Sequence, residues 1–142
     1  MPRTDFGQMN CAIAQALELI GEGWSILIIR EAFYGTRRFG DFEARLGIAR
    51  NILSTRLNKL TAGGILRRVP GQGGSKYQEY ELTDMGQALG PALLAIGLWG
   101  SKWIAGEGKS AEEMLNIVRQ ERALRAGVQP SAAALSRKRR PA

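Results

Sequence analysis

The chain has 142 residues, 44% of them hydrophobic and 23% charged, with a formal net charge of +7 and no histidine. This length is expected of one domain with a single core. One cysteine cannot form an internal disulfide, and without histidine the usual zinc ligands and the usual general base are missing. We therefore do not expect an enzyme, a metal site or a cofactor.

Positive charge is concentrated in one internal segment. Residues 35–80 carry a net charge of +6, residues 1–34 carry −2, residues 81–118 carry −3 and residues 119–142 carry +6. Such a local field suits a polyphosphate partner, because a protein that neutralises phosphates gains affinity from the counterions released. Chance clustering of surface charge is the alternative interpretation.

The sequence lacks the pattern of a signal peptide or a membrane span. The first ten residues are polar, and the longest apolar stretch, residues 88–100, is interrupted by Gly90, Pro91 and Gly97. A helix needs about 20 apolar residues to cross a bilayer. We therefore expect a protein of the cytoplasm with no membrane partner.

Two helices are predicted in the first quarter of the chain. Asn10 is a suitable cap for an amphipathic helix over residues 11–20. Residues 24–33 are apolar nearly all round, which indicates a helix buried from several sides. This second helix is the expected centre of the core.

The following segment is predicted to form a helix-turn-helix. A helix over residues 38–46 has an apolar stripe and ends at Gly47. A second helix over residues 49–61 directs three leucines toward the core, namely Leu53, Leu57 and Leu60. Two short amphipathic helices joined at a glycine are typical of this motif.

A β-hairpin is predicted directly after this unit. Residues 65–69 and 76–82 have the composition of strands, and the loop between them is rich in glycine. A hairpin beside a helix-turn-helix is a wing, so we predict a mainly α fold with a small β-hairpin, the winged helix-turn-helix. The glycines are equally explained by the needs of a turn.

Two further helices are predicted after the hairpin. Thr83 is a suitable cap for a long helix that reaches about residue 104, and Ser110 with Glu113 forms a capping-box pattern for a last helix to about residue 125. Apolar residues of the long helix recur at spacings of four and three, namely Met85, Leu89, Ala92, Ile96, Trp99 and Trp103. This stripe is expected to form a dimer interface, with packing inside its own domain as the alternative.

The second helix of the helix-turn-helix has a polar face opposite its leucines. This face presents the candidate base readers Asn51, Ser54, Thr55, Asn58 and Lys59. Asparagine can bond adenine twice, and threonine offers a hydroxyl and a methyl group. Arg50 at the helix start suits a guanine edge or a phosphate, and an ordinary wet helix face is the alternative.

Backbone and wing contacts complete the predicted interface. Arg37 and Arg38 precede the helix-turn-helix, where they suit phosphate contacts that orient the protein. The loop residues Gln72, Ser75 and Lys76 suit contacts along the DNA backbone or in the minor groove. Double-stranded DNA is therefore the expected partner.

Several short motifs occur in a fixed order between residues 10 and 104. They are Cys11-Ala12-Ile13-Ala14, residues 19–24 and 27–31, residues 35–42 around Arg37-Arg38-Phe39, residues 46–57, residues 79–83 and Trp99-Gly100. In this order and spacing they resemble the HxlR-type winged-helix transcriptional regulators of bacteria, relatives of the MarR group.

The resemblance implies a homodimer on a roughly palindromic operator in the nucleoid, with one recognition helix in each major groove. It implies a repressor more often than an activator, and a small-molecule or oxidant effector. The implied dimer interface combines the first and last helices of the domain through Ile13, Leu17, Leu89, Ala92, Ile96, Trp99 and Trp103. The chain departs from the family at Gly23, in its glycine-rich wing and after residue 106.

Cys11 matches the N-terminal cysteine with which some members of the family sense oxidants. The positive end of a helix favours a reactive thiolate, whereas a small, buried and inert cysteine is the alternative. Two other functions therefore stand beside the DNA-binding repressor. They are a redox-sensing regulator that uses Cys11, and a winged-helix module for protein contacts without a DNA target.

Four segments follow from these predictions. Residues 1–9 form an N-terminal arm, residues 10–106 a DNA-binding and dimerisation domain, residues 107–126 an extra helix, and residues 127–142 a basic tail. The tail lacks a core-forming pattern and is expected to be disordered. Its basic cluster either adds non-specific DNA affinity or is simply solvated.

Overall fold

The structure is a computed structural model that describes residues 4–71 and 77–127. After a 3-10 turn at Phe6–Gln8, its elements are α1 (Ala12–Ile20), α2 (Gly23–Phe33), α3 (Phe39–Leu46), α4 (Arg50–Ala62), β1 (Leu66–Pro70), β2 (Gln78–Leu82), α5 (Asp84–Gln87), α6 (Gly90–Trp103) and α7 (Ala111–Arg125). The mainly α fold with a small hairpin is confirmed. The predicted tail after Gly127 lies outside the described residues.

The core is built around α2. Ile28 and Ile29 of this helix are fully buried, together with Phe42 of α3 and the three leucines of α4. Burying one such side chain contributes roughly 1.5–3 kcal/mol. The central position of α2 and the buried direction of α4 are therefore as predicted.

The helix-turn-helix consists of α3 and α4. Gly47 ends α3 with a φ of 64°, a left-handed conformation that strains any residue with a Cβ. On the side of α4 that faces the first helices, Arg56 forms an ion pair with Glu22 in the turn between α1 and α2. Core leucines and this ion pair fix the orientation of α4.

The hairpin is a two-stranded antiparallel sheet in which Leu66 lies opposite Leu82 and Pro70 opposite Gln78. An isolated bridge between Arg38 and Glu79 adds the segment before α3 to the edge of β2. The hairpin is therefore tied to the start of the helix-turn-helix. Most of the predicted loop, residues 72–76, lies outside the described residues.

Two predictions about helix boundaries were wrong. Cys11, not Asn10, occupies the N-cap position of α1. Thr83 does cap a helix, since its Oγ1 accepts the amide of Gly86, but this helix ends at Gln87 and α6 begins separately. Pro91 in the first turn of α6 explains the break, because its ring lacks an N–H and clashes with the carbonyl four residues earlier.

The last helix, α7, packs back on the domain. It begins with the predicted capping box, in which Ser110 and Glu113 bond each other's backbone amides. At its other end the Arg125 Nη2 donates to both oxygens of Glu31, at 2.9 and 3.0 Å. The Arg125 Nε also donates to the Oγ1 of Thr36 at 3.0 Å. Thus α7 is bonded to the end of α2 and to the turn that leads into α3.

Within residues 4–71 and 77–127, no single helix is long and apolar enough to cross a membrane, and α1 and α2 reach that standard only as a pair bent by 78°. In the same residues, no three His, Cys, Asp or Glu side chains are grouped so that they could hold a metal ion.

Candidate nucleic-acid interface

The outer face of α4 is polar and exposed. Leu53, Leu57 and Leu60 are 0% exposed, whereas the predicted base readers Asn51, Ser54, Thr55 and Asn58 are all exposed. Lys59 lies at the margin of this face and is half-buried. The structure therefore places four of these five predicted residues together on the surface of one helix.

Two of the predicted readers are engaged by groups of the protein. The Thr55 Oγ1 donates to the Asn51 carbonyl at 3.0 Å, so its proton is used within the helix while the side chain stays exposed. The Asn58 Oδ1 accepts a hydrogen bond from the Nη2 of Arg68 on β1. This bond ties the recognition helix to the hairpin.

Arg50 stands at the start of α4 with 75% of its side chain exposed. Its guanidinium carbon lies 4.8 Å from the centre of the Phe39 ring, and its Nη1 lies 3.7 Å from the Glu43 Oε1. These contacts of α3 hold the charge beside the exposed face of α4. A surface ion pair of this length contributes little to stability.

Arg37 and Arg38 occupy different environments. Arg37 is half-buried and donates from Nε to Glu79 at 2.7 Å and from Nη2 to Glu81 at 3.0 Å. The bond to Glu79 is the main reason that the pKa of Arg37 is raised, and Glu81 adds to it. Arg38 has a 57% exposed side chain, and its Nε lies 3.5 Å from Glu79. The two arginines, both predicted to contact phosphate, thus differ in solvent exposure.

Sequence reasoning did not single out the acidic and basic residues of the hairpin that organise this surface. Arg68 contacts Asn58, and its guanidinium carbon lies 5.7 Å from the centre of the Tyr80 ring. Glu81 is paired with Arg67, whose bond is the main reason that the pKa of Glu81 is lowered, with Arg37 adding to it. Only the strand register, which places Arg67 opposite Glu81, could have indicated this pairing.

The remaining predicted site residues fall into two groups. Gln72, Ser75 and Lys76 of the wing lie outside the described residues. Cys11 is exposed at the start of α1, so the alternative of a buried cysteine does not describe this chain. Cys11 is the N-cap of α1, the helix that carries Ile13.

Helices α1 and α6 carry a group of exposed apolar side chains. Ile13 is 73% exposed and Trp103 65% exposed, and the same surface character is shared by Leu17, Ile96 and Trp99. Ala92 is also exposed, whereas Leu89 is half-buried and packs against the core of its own chain. Five of the seven residues predicted for the dimer interface are therefore large apolar side chains at the surface of the single chain.

A recognition helix with a polar outer face, a left-handed glycine turn before it and a hairpin bonded to it together define a winged helix-turn-helix protein. Residues 19–108 match the family described as HxlR-like helix-turn-helix, and the chain belongs to this family. Its helices α3 and α4 form the helix-turn-helix for which this family is named. Its curated relatives are named HTH-type transcriptional regulators.

Known relatives agree with this assignment. The chain is 43% identical over 93 residues to the uncharacterised HTH-type transcriptional regulator Rv3095 of Mycobacterium tuberculosis, a match that covers 66% of this chain but only 59% of that protein. It is similar to the crystal structure of PA1607, provisionally described as a transcription factor, with 48% identity, a TM-score of 0.68, and coverage of 71% and 70% of the two chains.

A third relative is a redox regulator. The reduced form of HypR is 28% identical to this chain, with a TM-score of 0.59, and the match covers 65% of this chain and 92% of that one. The similarity is therefore confined to about two thirds of this chain.

Proposed function

We propose that the chain acts in the cytoplasm as a homodimeric repressor, with α4 of each protomer in the major groove of a pseudo-palindromic operator. The observation that carries this proposal is the exposed polar face of α4, with Arg50 at its start and Arg68 of the hairpin bonded to Asn58. A helix with a polar outer face and flanking cations is what base reading with phosphate anchoring requires.

Base reading is assigned to Asn51, Ser54 and Thr55, because these side chains are exposed on one side of α4. Asn58 contributes together with Arg68, since the two side chains are already bonded. Phosphate contacts are assigned to Arg37, Arg38, Arg50 and Lys59, and wing contacts to Gln72, Ser75 and Lys76. Of the arginine pair, Arg38 is the stronger candidate, because Arg37 is held between two carboxylates.

Dimerisation is assigned to α1 and α6. The support is the exposure of Ile13, Ile96, Trp99 and Trp103 in the single chain. Residues 10–106 would then form the DNA-binding and dimerisation domain, with residues 107–126 as an added helix. A two-fold axis through this surface would present two copies of α4 to two half-sites.

The proposal is tested by measuring the affinity of the protein for the DNA upstream of its own gene. Asn51→Ala and Thr55→Ala should each reduce the preference for this DNA over a scrambled fragment by about five- to a hundredfold, since one good base contact contributes about 1–3 kcal/mol. Asn116→Ala, which removes from α7 a half-buried amide that bonds Arg119, is the control and should leave the preference unchanged. Intact preference in both α4 variants would contradict the assignment and favour a protein-contact module.

A redox function for Cys11 is a second candidate. Two observations favour it: the thiol is exposed, and the similar protein HypR is a redox regulator. Diamide treatment should then change operator affinity in the wild type and leave the Cys11→Ser variant unaffected. Equal operator affinity of the wild type before and after treatment, with no adduct or intersubunit disulfide, would rule this candidate out.

A further inference from the structure

A cavity of about 460 Å³ opens between the end of α2, the hairpin and α7. The side chains in its wall that bear on ligand binding are Phe33, Arg37, Arg67, Glu81, Leu82 and Arg122. Successive strand residues point to opposite sides, so Arg67 and Glu81 lie across the hairpin from Arg68, which contacts α4. Arg67 and Glu81 therefore face away from Arg68, whereas Arg37 belongs both to the cavity wall and to the proposed phosphate contacts.

The wall of this cavity is basic. Its three arginines and one glutamate give a local charge of +2, which becomes +1 when Glu79 behind Arg37 is counted. Glu81 accepts from the Arg67 Nε at 2.5 Å and from the Arg37 Nη2 at 3.0 Å. The Glu81 carboxylate thus lies between two guanidinium groups, in the position where the acidic group of a ligand would bind.

The arginines have donors beyond these bonds. Arg37 uses two nitrogens on Glu79 and Glu81, Arg67 uses one on Glu81, and Arg122 uses its Nε on the Phe33 carbonyl at 2.6 Å. A guanidinium group carries five N–H donors arranged to bind a carboxylate or phosphate with two parallel bonds. These arginines can therefore donate hydrogen bonds to an anion while they keep some of their bonds within the protein.

Part of the cavity wall is apolar. Ala32 and Phe33 of α2 and Leu82 at the end of β2 line it. Ligand cavities that combine a few convergent polar groups with apolar walls select molecules that have both features. A compact carboxylate or phosphate with an aromatic or aliphatic body fits this wall.

We propose that this cavity is an effector site for a small organic anion, with Arg67 and Arg122 binding its acidic group and Phe33 contacting its apolar body. Arg122 belongs to α7, which lies beyond residues 19–108 that match the family. The added helix thus supplies the third cation of the site. The regulatory part of this proposal depends on the proposed DNA-binding function, whereas the binding part does not.

A ligand here would act on the DNA-binding residues through Arg37. An anion that bonds Arg67 and Arg122 competes for Arg67 with Glu81, which also accepts from Arg37. The Arg37 carbonyl also accepts the Tyr80 amide at 2.8 Å, so Arg37 links β2 to the segment before α3. A change in the pairing of Glu81 should therefore alter the positions of both Arg38 and the hairpin. We expect this movement to change operator affinity.

The binding part is tested by calorimetry on the full chain without DNA. Phenyl phosphate and benzoate are the anionic probes. Benzyl alcohol, which has an aromatic ring but no charge, and inorganic phosphate, which has the charge but no ring, are the comparison compounds. The anionic probes should bind more tightly than either comparison. Arg122→Gln should weaken them about tenfold, the equivalent of one charge-assisted hydrogen bond, and Arg122→Lys by less.

Arg119→Gln is the matched control, because Arg119 is exposed on the same helix and bonds Asn116 instead of the cavity. Its probe affinity should equal that of the wild type. The site is wrong if neither anionic probe binds, or if Arg119→Gln and Arg122→Gln weaken binding equally. Melting curves of each variant show whether a loss of probe affinity results from unfolding of the protein.

The regulatory part is tested by operator affinity with and without the probe. Probe at a few times its wild-type Kd fills most of the wild type but a smaller part of Arg122→Gln. It should change the operator affinity of the wild type at least threefold and that of Arg122→Gln by less. Probe binding with no change in operator affinity would overturn the effector role. If the protein binds no operator at all, the proposed function fails, while the calorimetry still decides whether the cavity binds anions.

Discussion

Two adjacent arginines illustrate how much the role of a side chain depends on its partners. Arg37 is held by Glu79 and Glu81, whereas the side chain of Arg38 is mostly exposed. Arg37→Ala should lower the free energy of unfolding by about 1–3 kcal/mol, because the buried Glu79 loses its closer partner. Arg38→Ala should leave stability unchanged and weaken DNA binding. Urea unfolding and DNA anisotropy measure the two effects, and the reverse pattern would contradict this division.

Glu81 should make the protein less stable as the pH falls into the acidic range. Its pKa is lowered in the folded chain by Arg67 and Arg37. A carboxylate with a depressed folded pKa stabilises the protein above its unfolded pKa, about 4.3, and this contribution is lost as the pH falls through the folded value. The urea midpoint of the wild type should therefore fall more steeply below pH 4.5 than that of Glu81→Gln, and parallel curves would count against it.

Among the elements, α7 is attached to the domain by a buried ion pair. The Arg125 side chain is 9% exposed and that of Glu31 is 2% exposed. Arg125→Met should lower the free energy of unfolding by about 3–5 kcal/mol, because it leaves a buried carboxylate without its main partner. Arg119→Met on the exposed side of the same helix is the control. Equal stability of the two variants in denaturant titrations would show that the pair contributes little.

Local patterns in the sequence predicted most of the elements. The apolar stretch of α2, the leucines of α4 and the Ser110 capping box are features of neighbouring residues, and each appeared as expected. The prediction of a single helix after Thr83 was wrong. The apolar residues keep a regular helical spacing through Pro91, but the helical backbone is interrupted just before this proline. The contacts of Arg125 with Glu31 and of Arg37 with Glu79 join residues far apart in sequence, and periodicity carries no information about such pairs.

For the molecule as a whole, the exposed apolar residues of α1 and α6 predict self-association. Trp99 is 59% exposed, and Trp99→Glu would place a charge in the centre of the proposed interface. This variant should be a monomer by light scattering at micromolar concentration, whereas we expect the wild type to be a dimer. Tyr77→Glu, at an exposed aromatic outside these two helices, should remain dimeric. A monomeric wild type would contradict the interface.

The most direct test of the DNA-binding proposal is the salt dependence of affinity for the upstream DNA and for a scrambled fragment. Arg37, Arg38, Arg50 and Lys59 in two protomers give about eight phosphate contacts, within the range for which affinity falls on the order of 10³–10⁵-fold between 50 and 200 mM salt. We predict this fall for both fragments, with tighter binding of the upstream DNA at every salt concentration. Affinity that is insensitive to salt, or equal for the two fragments, would contradict the proposal.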